Sequence, residues 1–264
     1  MTDDTNNSTP KEYPPYQAID QATNIANKRH IRNTMQNMLD APLTELADAH
    51  RTGYHTDVQI NFSHPINELS SPDAAVEQFW KPLRQAIPDV ERRDDIVAGG
   101  LDRDVQRIGC LGHYFGTFEQ DWFGIPATGQ VVTVRFAEGH ELREGKIAKS
   151  YVFIDFLDVM RQVGYWPIAP SLGREMQWLS PMTHDGVILT PQEDAVSART
   201  HGLITRMHIG LDVAGGRQLT HEIMDLIEQE DPGTSTPIFC GTALLASAPR
   251  AASKGLMTIT AIRF

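Results

Sequence analysis

The sequence predicts an α+β fold with an antiparallel sheet, and three observations carry that prediction. Apolar residues recur at three- and four-residue spacing in the first third of the chain, as buried helix faces do. From about residue 90 to 156 the pattern changes to strands separated by short turns. The helices and the strand meander are segregated rather than alternating, which argues against a doubly wound parallel sheet.

The elements follow in order. Residues 1–25 are rich in Thr, Asn, Asp and Pro and offer few side chains to bury, so they read as a disordered arm. Residues 26–49 read as helix, with Ile31, Met35, Met38 and Leu39 on one face and Pro42 splitting the segment in two. Residues 57–63 alternate, with Val58, Ile60 and Phe62 on one side of a short strand. Ser71-Pro72-Asp73 opens a helix carrying Val76, Phe79, Trp80 and Leu83, which stops before Pro88. Strands are expected over 90–98 and 104–118, then over 130–142 and 146–156 as a hairpin across Arg143-Glu144-Gly145. A closing helix over 156–163 ends at Gly164.

Beyond this unit, taken as residues 26–165, the segment 166–194 reads as a Pro-, Gly- and Ser-rich linker. Residues 195–211 read as helix. That helix ends in Leu211-Asp212-Val213, much as the first ends in Leu39-Asp40-Ala41, so residues 195–232 are expected to begin an incomplete second repeat. Residues 233–264 show no strand alternation. Codons for Gly241 to Arg250 can be chosen so that the neighbouring frame reads Trp-Tyr-Gly-Pro-Ala-Gly-Ile-Gly-Thr-Ala. A frameshift near Pro232 is therefore expected, and translating the coding DNA in its other frames tests it.

Composition narrows the function. The chain of 264 residues has a net charge of −11 and no basic block, which disfavours a nucleic-acid or anionic membrane partner. Cys110 and Cys240 have no CxxC spacing, and HxH and HExxH patterns are absent, so neither a zinc site nor a disulfide framework is expected. Gly99-Gly100 and Gly215-Gly216 are too short for a phosphate loop, and Gly-x-Ser-x-Gly is missing. No apolar run approaches the roughly 20 residues of a membrane span. The acidic, polar N-terminus lacks the features of a signal peptide, so a cytoplasmic location is expected.

Five strings in order then stand out: FWKPLRQAIPD from Phe79, GHYFGTF from Gly112, FGIPATGQVVTVRF from Phe123, REGKIAKSYVFID from Arg143 and LDVMRQVG from Leu157. Together they resemble the SnoaL-like polyketide cyclases of the nuclear-transport-factor-2-like superfamily, over about half of the chain. The resemblance implies a cone-shaped, curled sheet with N-terminal helices in its concave face, around a hydrophobic pocket. It also implies ring closure of a polyketide-like molecule by intramolecular aldol chemistry with no cofactor or metal, and pairing of two copies through the sheet as a homodimer. A non-catalytic module that binds a small apolar molecule, or serves in dimerisation, is the alternative.

Aldol closure needs a base beside a carbonyl and a donor for the oxygen that becomes negative. Asp155 ends an apolar strand and, by alternation, shares a face with Ile147, Tyr151 and Phe153. Read from the residues alone, it serves equally as a base or as the N-cap of the closing helix; the resemblance implies the catalytic role. His113, between Gly112 and Tyr114, is a candidate donor, although a buried histidine bonded to a neighbouring strand is the commoner arrangement. His140 is a third candidate, for which an exposed place near the hairpin end is expected. Arg135, on the opposite face from Val134 and Phe136, is expected to be solvated or paired with a carboxylate. Trp80, Phe118, Trp122, Tyr151 and Phe153 are the expected pocket for a hydrophobic or aromatic substrate, although aromatics more often serve as plain core.

Overall fold

The computed structural model describes residues 15–165 and 185–213, with side chains up to residue 206. Most of the expected arm and linker, the end of the expected second repeat and the whole expected tail at 233–264 lie outside the described residues. Among the described residues no helix is long and apolar enough to cross a membrane.

Helix α1 spans Gln21–Asp40 and starts five residues before Ala26, because Asp20 caps it: its carboxylate accepts from the Thr23 amide at 2.7 Å. The buried face carries Ile31, Met35, Met38 and Leu39, as the periodicity predicted, and continues upstream through Asn24, Asn27 and Lys28. After the Pro42 break, α2 (Leu46–Gly53) leads straight into β1 (Tyr54–Phe62). A two-residue strand, β2 (Glu68–Leu69), folds back on β1. Ser71 then caps α3 (Pro72–Ala75) by accepting from the Ala74 amide at 3.1 Å. The helix passes through a π-turn, Val76–Trp80, into α4 (Lys81–Ala86). Four long strands follow: β3 (Glu91–Asp102), β4 (Val105–Thr117), β5 (Val131–Arg143) and β6 (Lys146–Ile154). Helix α5 (Phe156–Gln162) closes the unit, and α6 (Asp194–Val213) lies beyond it.

The expected end of β3 at Ala98 is corrected to Asp102. The strand continues through Gly99-Gly100, and the chain reverses only at Arg103-Asp104, both with positive φ, the geometry of a tight hairpin turn.

The six strands form one open sheet in the order β2-β1-β6-β5-β4-β3. All neighbours run antiparallel except β1 and β6, which pair in parallel. On the inner face lie Ile108, Cys110 and Tyr114 of β4, Val132, Val134, Phe136, Glu138 and His140 of β5, and Ser150, Val152 and Ile154 of β6, all buried. The helices preceding β3 cover this face, and Ile31, Met35, Leu46, Phe79, Trp80 and Leu83 complete the core. Gly112 is needed here: a Cβ would sit 2.1 Å from the Arg93 carbonyl oxygen and 2.7 Å from the Phe136 ring, so only glycine lets β3 and β4 close.

Candidate functional site

The inner face of the sheet carries a buried polar network among apolar side chains. Arg92 on β3 reaches across β4 to Glu138 on β5 with two parallel bonds, Nη1 to Oε1 at 2.9 Å and Nη2 to Oε2 at 2.7 Å. The same Nη1 donates to the Tyr114 hydroxyl at 2.7 Å, which lies 3.2 Å from Glu138 Oε1. Arg92 Nε donates to Asp94 at 2.9 Å, and Asp94 also receives Arg32 from α1 at 3.0 Å. The guanidinium stacks 3.9 Å above the Phe136 ring. On the far side of Glu138, His140 Nε2 lies 3.4 Å from Oε2, and His140 Nδ1 lies 2.9 Å from Ser150 Oγ.

Such a network is stable only when each member is satisfied. Burial by itself would raise the Glu138 carboxyl. The Arg92 charge and bonds, with His140, outweigh burial and hold it at about 2. Glu138 is therefore an ionised anchor and a weak base. Burial pushes the Tyr114 hydroxyl well above its usual value, so it stays protonated.

A small cavity of about 10 Å³ sits against this network, room for about one water molecule. Its walls include Met35, Phe79, Trp80 and Val152, together with Glu138, His50 and Tyr54. The His50 and Tyr54 rings stack with centroids 3.8 Å apart and planes within 7°. His50 is completely buried, yet neither ring nitrogen has a hydrogen-bond partner in the protein. Burial, more than any neighbouring charge, drives its imidazole down to about 3, so the ring is neutral at physiological pH. The Tyr54 hydroxyl reaches only the Met35 sulfur, at 4.0 Å, and burial raises its pKa. The cavity thus presents one neutral imidazole and one phenol, both able to donate to an oxygen.

Among the described residues, Cys110, Glu138 and His140 are the metal-ligand-type group, with ligand atoms within 4.8 Å of one another. The fit to a cation is poor. Arg92 occupies both oxygens of Glu138 with a fixed positive charge, and burial keeps the Cys110 thiol protonated.

The model of one family, the SnoaL-like polyketide cyclases, matches residues 31–163, which span β1 to β6 and every wall of this cavity. The chain belongs to the SnoaL-like polyketide cyclase family. Solved structures similar to it include a protein of Jannaschia sp. CCS1 assigned as a SnoaL-like polyketide cyclase, at 18% identity and TM-score 0.47, covering 57% of this chain and 99% of that one. TsrD from Streptomyces laurentii is 16% identical with TM-score 0.43, over 56% of this chain and 99% of its own. A phenazine biosynthesis-related protein from Pseudomonas aeruginosa is 18% identical with TM-score 0.40, over 60% and 93%. No curated protein matches the chain.

In this SnoaL-like chain the candidate residues fall into separate places. Asp155 caps α5, accepting from the Asp158 amide at 2.8 Å, and takes Arg135 Nη2 at 2.7 Å. Its side chain is 32% exposed and lies on the outer side of the sheet with Arg135. His113 pairs with Arg135 in register on that same outer face, and its Nδ1 lies 2.8 Å from Asp95. Asp95 is the extra residue of a bulge between Asp94 and Ile96, which sends Asp94 inward and Asp95 outward. Of the pocket candidates, Trp80 lines the cavity, while Phe118 and Trp122 are core. Tyr151 and Phe153 face outward, and Phe153 is exposed. Ile147 does not share their face: a register shift at Glu141/Leu142 turns it inward.

His140 is completely buried rather than exposed, because β5 runs on to Arg143 and carries it inside the sheet. Arg92, Tyr114, Glu138, His50 and Tyr54 did not emerge from the sequence as site residues. One signal was present for Glu138: it continues the Val132-Val134-Phe136 face at a two-residue step, a carboxylate where an apolar residue belongs.

Proposed function

We propose that the protein takes a small, largely apolar, carbonyl-bearing molecule into the inner cavity and promotes its cyclisation or isomerisation by holding it folded against neutral hydrogen-bond donors. The observation that carries this reading is His50, completely buried with both nitrogens unpartnered beside the cavity. A buried polar group left unsatisfied costs roughly 1–3 kcal/mol, and an oxygen of a bound molecule would recover that cost. His50 and the Tyr54 hydroxyl would donate to the carbonyl oxygen that becomes negative as the enol carbon of the substrate attacks it, with the enol O–H proton ending on that oxygen, and the walls would supply proximity. Family membership supports the polyketide-like substrate class. The cavity holds only about one water as it stands, so entry of such a molecule requires its walls to move apart.

Binding without turnover is the second reading. It is favoured by the acidity of the cavity groups: Glu138 at about 2 and His50 at about 3 are both weak bases at neutral pH. A linear 3,5-diketo ester decides between the two readings. Its acidic methylene needs little help from a base, and ring closure is followed by absorbance and mass. Turnover that falls by about 10²-fold in His50→Leu and persists in Asp155→Asn supports catalysis in this cavity. Saturable quenching of tryptophan fluorescence that is lost in Trp80→Phe, without product, supports binding alone. Turnover that vanishes in Asp155→Asn and survives in His50→Leu would move the chemistry to the outer face.

A further inference from the structure

A second cavity, of about 70 Å³, lies toward the start of α1, between that helix, β3 and the segment 188–200. Its walls include Asn24, Lys28, Gly99, Thr190, Ser197 and Thr200. Asn24 and Lys28 are one helical turn apart on α1 and are only 7% and 8% exposed. Lys28 Nζ donates to a single protein acceptor, the Ile188 carbonyl at 3.1 Å, and among the described residues no carboxylate pairs with it. A buried ammonium without a counter-charge is costly, and two of its three protons lack an acceptor. Asn24 Nδ2 donates to the Gly99 carbonyl at 3.2 Å, which fixes the amide's orientation and leaves Oδ1 buried with no donor. Two of the lining residues, Tyr16 and Gln21, donate to Asp194 at 3.1 Å and 3.4 Å.

From this pairing of an uncompensated buried cation with an unsatisfied acceptor, we propose that the cavity is a binding site for a small hydroxy-carboxylate. The carboxylate sits on Lys28 and the hydroxyl donates to Asn24 Oδ1. At roughly 10–15 Å³ of such space per water, the cavity takes about five to seven waters, or a ligand of about as many heavy atoms. The site shares no residue with the inner cavity, so it stands or falls separately from the proposal above.

Glycolate is the probe, titrated into the full chain by calorimetry beside acetate, which lacks the hydroxyl, and methyl glycolate, which lacks the charge. Saturable binding of glycolate, weaker binding of acetate and none of methyl glycolate are expected. Lys28→Met should weaken glycolate at least about tenfold, the loss of a charge-assisted hydrogen bond. Should that variant fail to fold, Ser197→Leu on α6 fills the cavity from the far wall and should abolish the binding. No saturable glycolate binding to the parent chain, or equal binding by Ser197→Leu, overturns the proposal and leaves the cavity to water alone.

Discussion

His50 sets a pH dependence that can be read directly. An imidazole in the unfolded chain titrates near 6.5, whereas burial holds His50 at about 3 in the fold. Below pH 6.5 the unfolded chain binds a proton that the folded chain refuses, so stability is fully present above 6.5 and is lost as the pH falls toward 3. Between pH 7 and pH 5 the loss from this one group amounts to about 2 kcal/mol. Urea unfolding at the two pH values should show this slope in the parent and a shallower one in His50→Leu; parallel slopes would mean that His50 is not held neutral. Arg92 gives a sharper expectation. Arg92→Met leaves the Glu138 carboxylate buried beside Tyr114 without its bidentate partner. The expected loss is about 3–5 kcal/mol, measured by the same unfolding. Replacing Glu138 by Leu in that background should recover much of it, because the uncompensated charge is then gone.

Element by element, the α5 cap separates structural from chemical roles. Asp155→Ala removes the acceptor for the Asp158 amide and one partner of Arg135. It should cost about 1–2 kcal/mol, read as a lower melting temperature, with ligand binding in the inner cavity unchanged. The same element shows what the sequence made legible. The helix faces of α1 and of residues 72–86, and the strand pairs β4–β5 and β5–β6, follow from periodicity and turn residues, because their burial is one-sided. The facing of individual residues was lost wherever the two-residue step breaks. The bulge at Asp95 swaps inside and outside along β3, and the register shift at Glu141/Leu142 does so for Ile147. Arg92 and Asp94 sit in the charged run Glu91-Arg92-Arg93-Asp94-Asp95, which looks solvated in one dimension; only the third dimension supplies Glu138 and Arg32 as partners. His50 and Tyr54 were invisible as a pair because their stack spans the junction of α2 and β1.

Across the whole molecule, the open sheet has two edges that differ in risk. At one, β2 is two residues long and offers little to another chain. At the other, β3 is twelve residues long, and such an edge invites pairing with a second strand. The segment after residue 184 blunts it: the Val97 amide donates to the Gly186 carbonyl at 2.9 Å, and Val187 pairs with Val97 in parallel. Gly186 permits this approach, since a Cβ there would sit 2.1 Å from the Asp95 carbonyl oxygen. The contact also brings Ile188 to Lys28, so one short stretch both guards the edge and walls the second cavity. Gly186→Val should push the stretch off β3. Three changes are expected together: about 1–3 kcal/mol of lost stability, concentration-dependent association beyond that of the parent chain in sedimentation, and loss of glycolate binding. Glycolate lost without association would mean that the β3 edge is protected by its own charges, and association without loss of glycolate would separate the guard from the cavity wall.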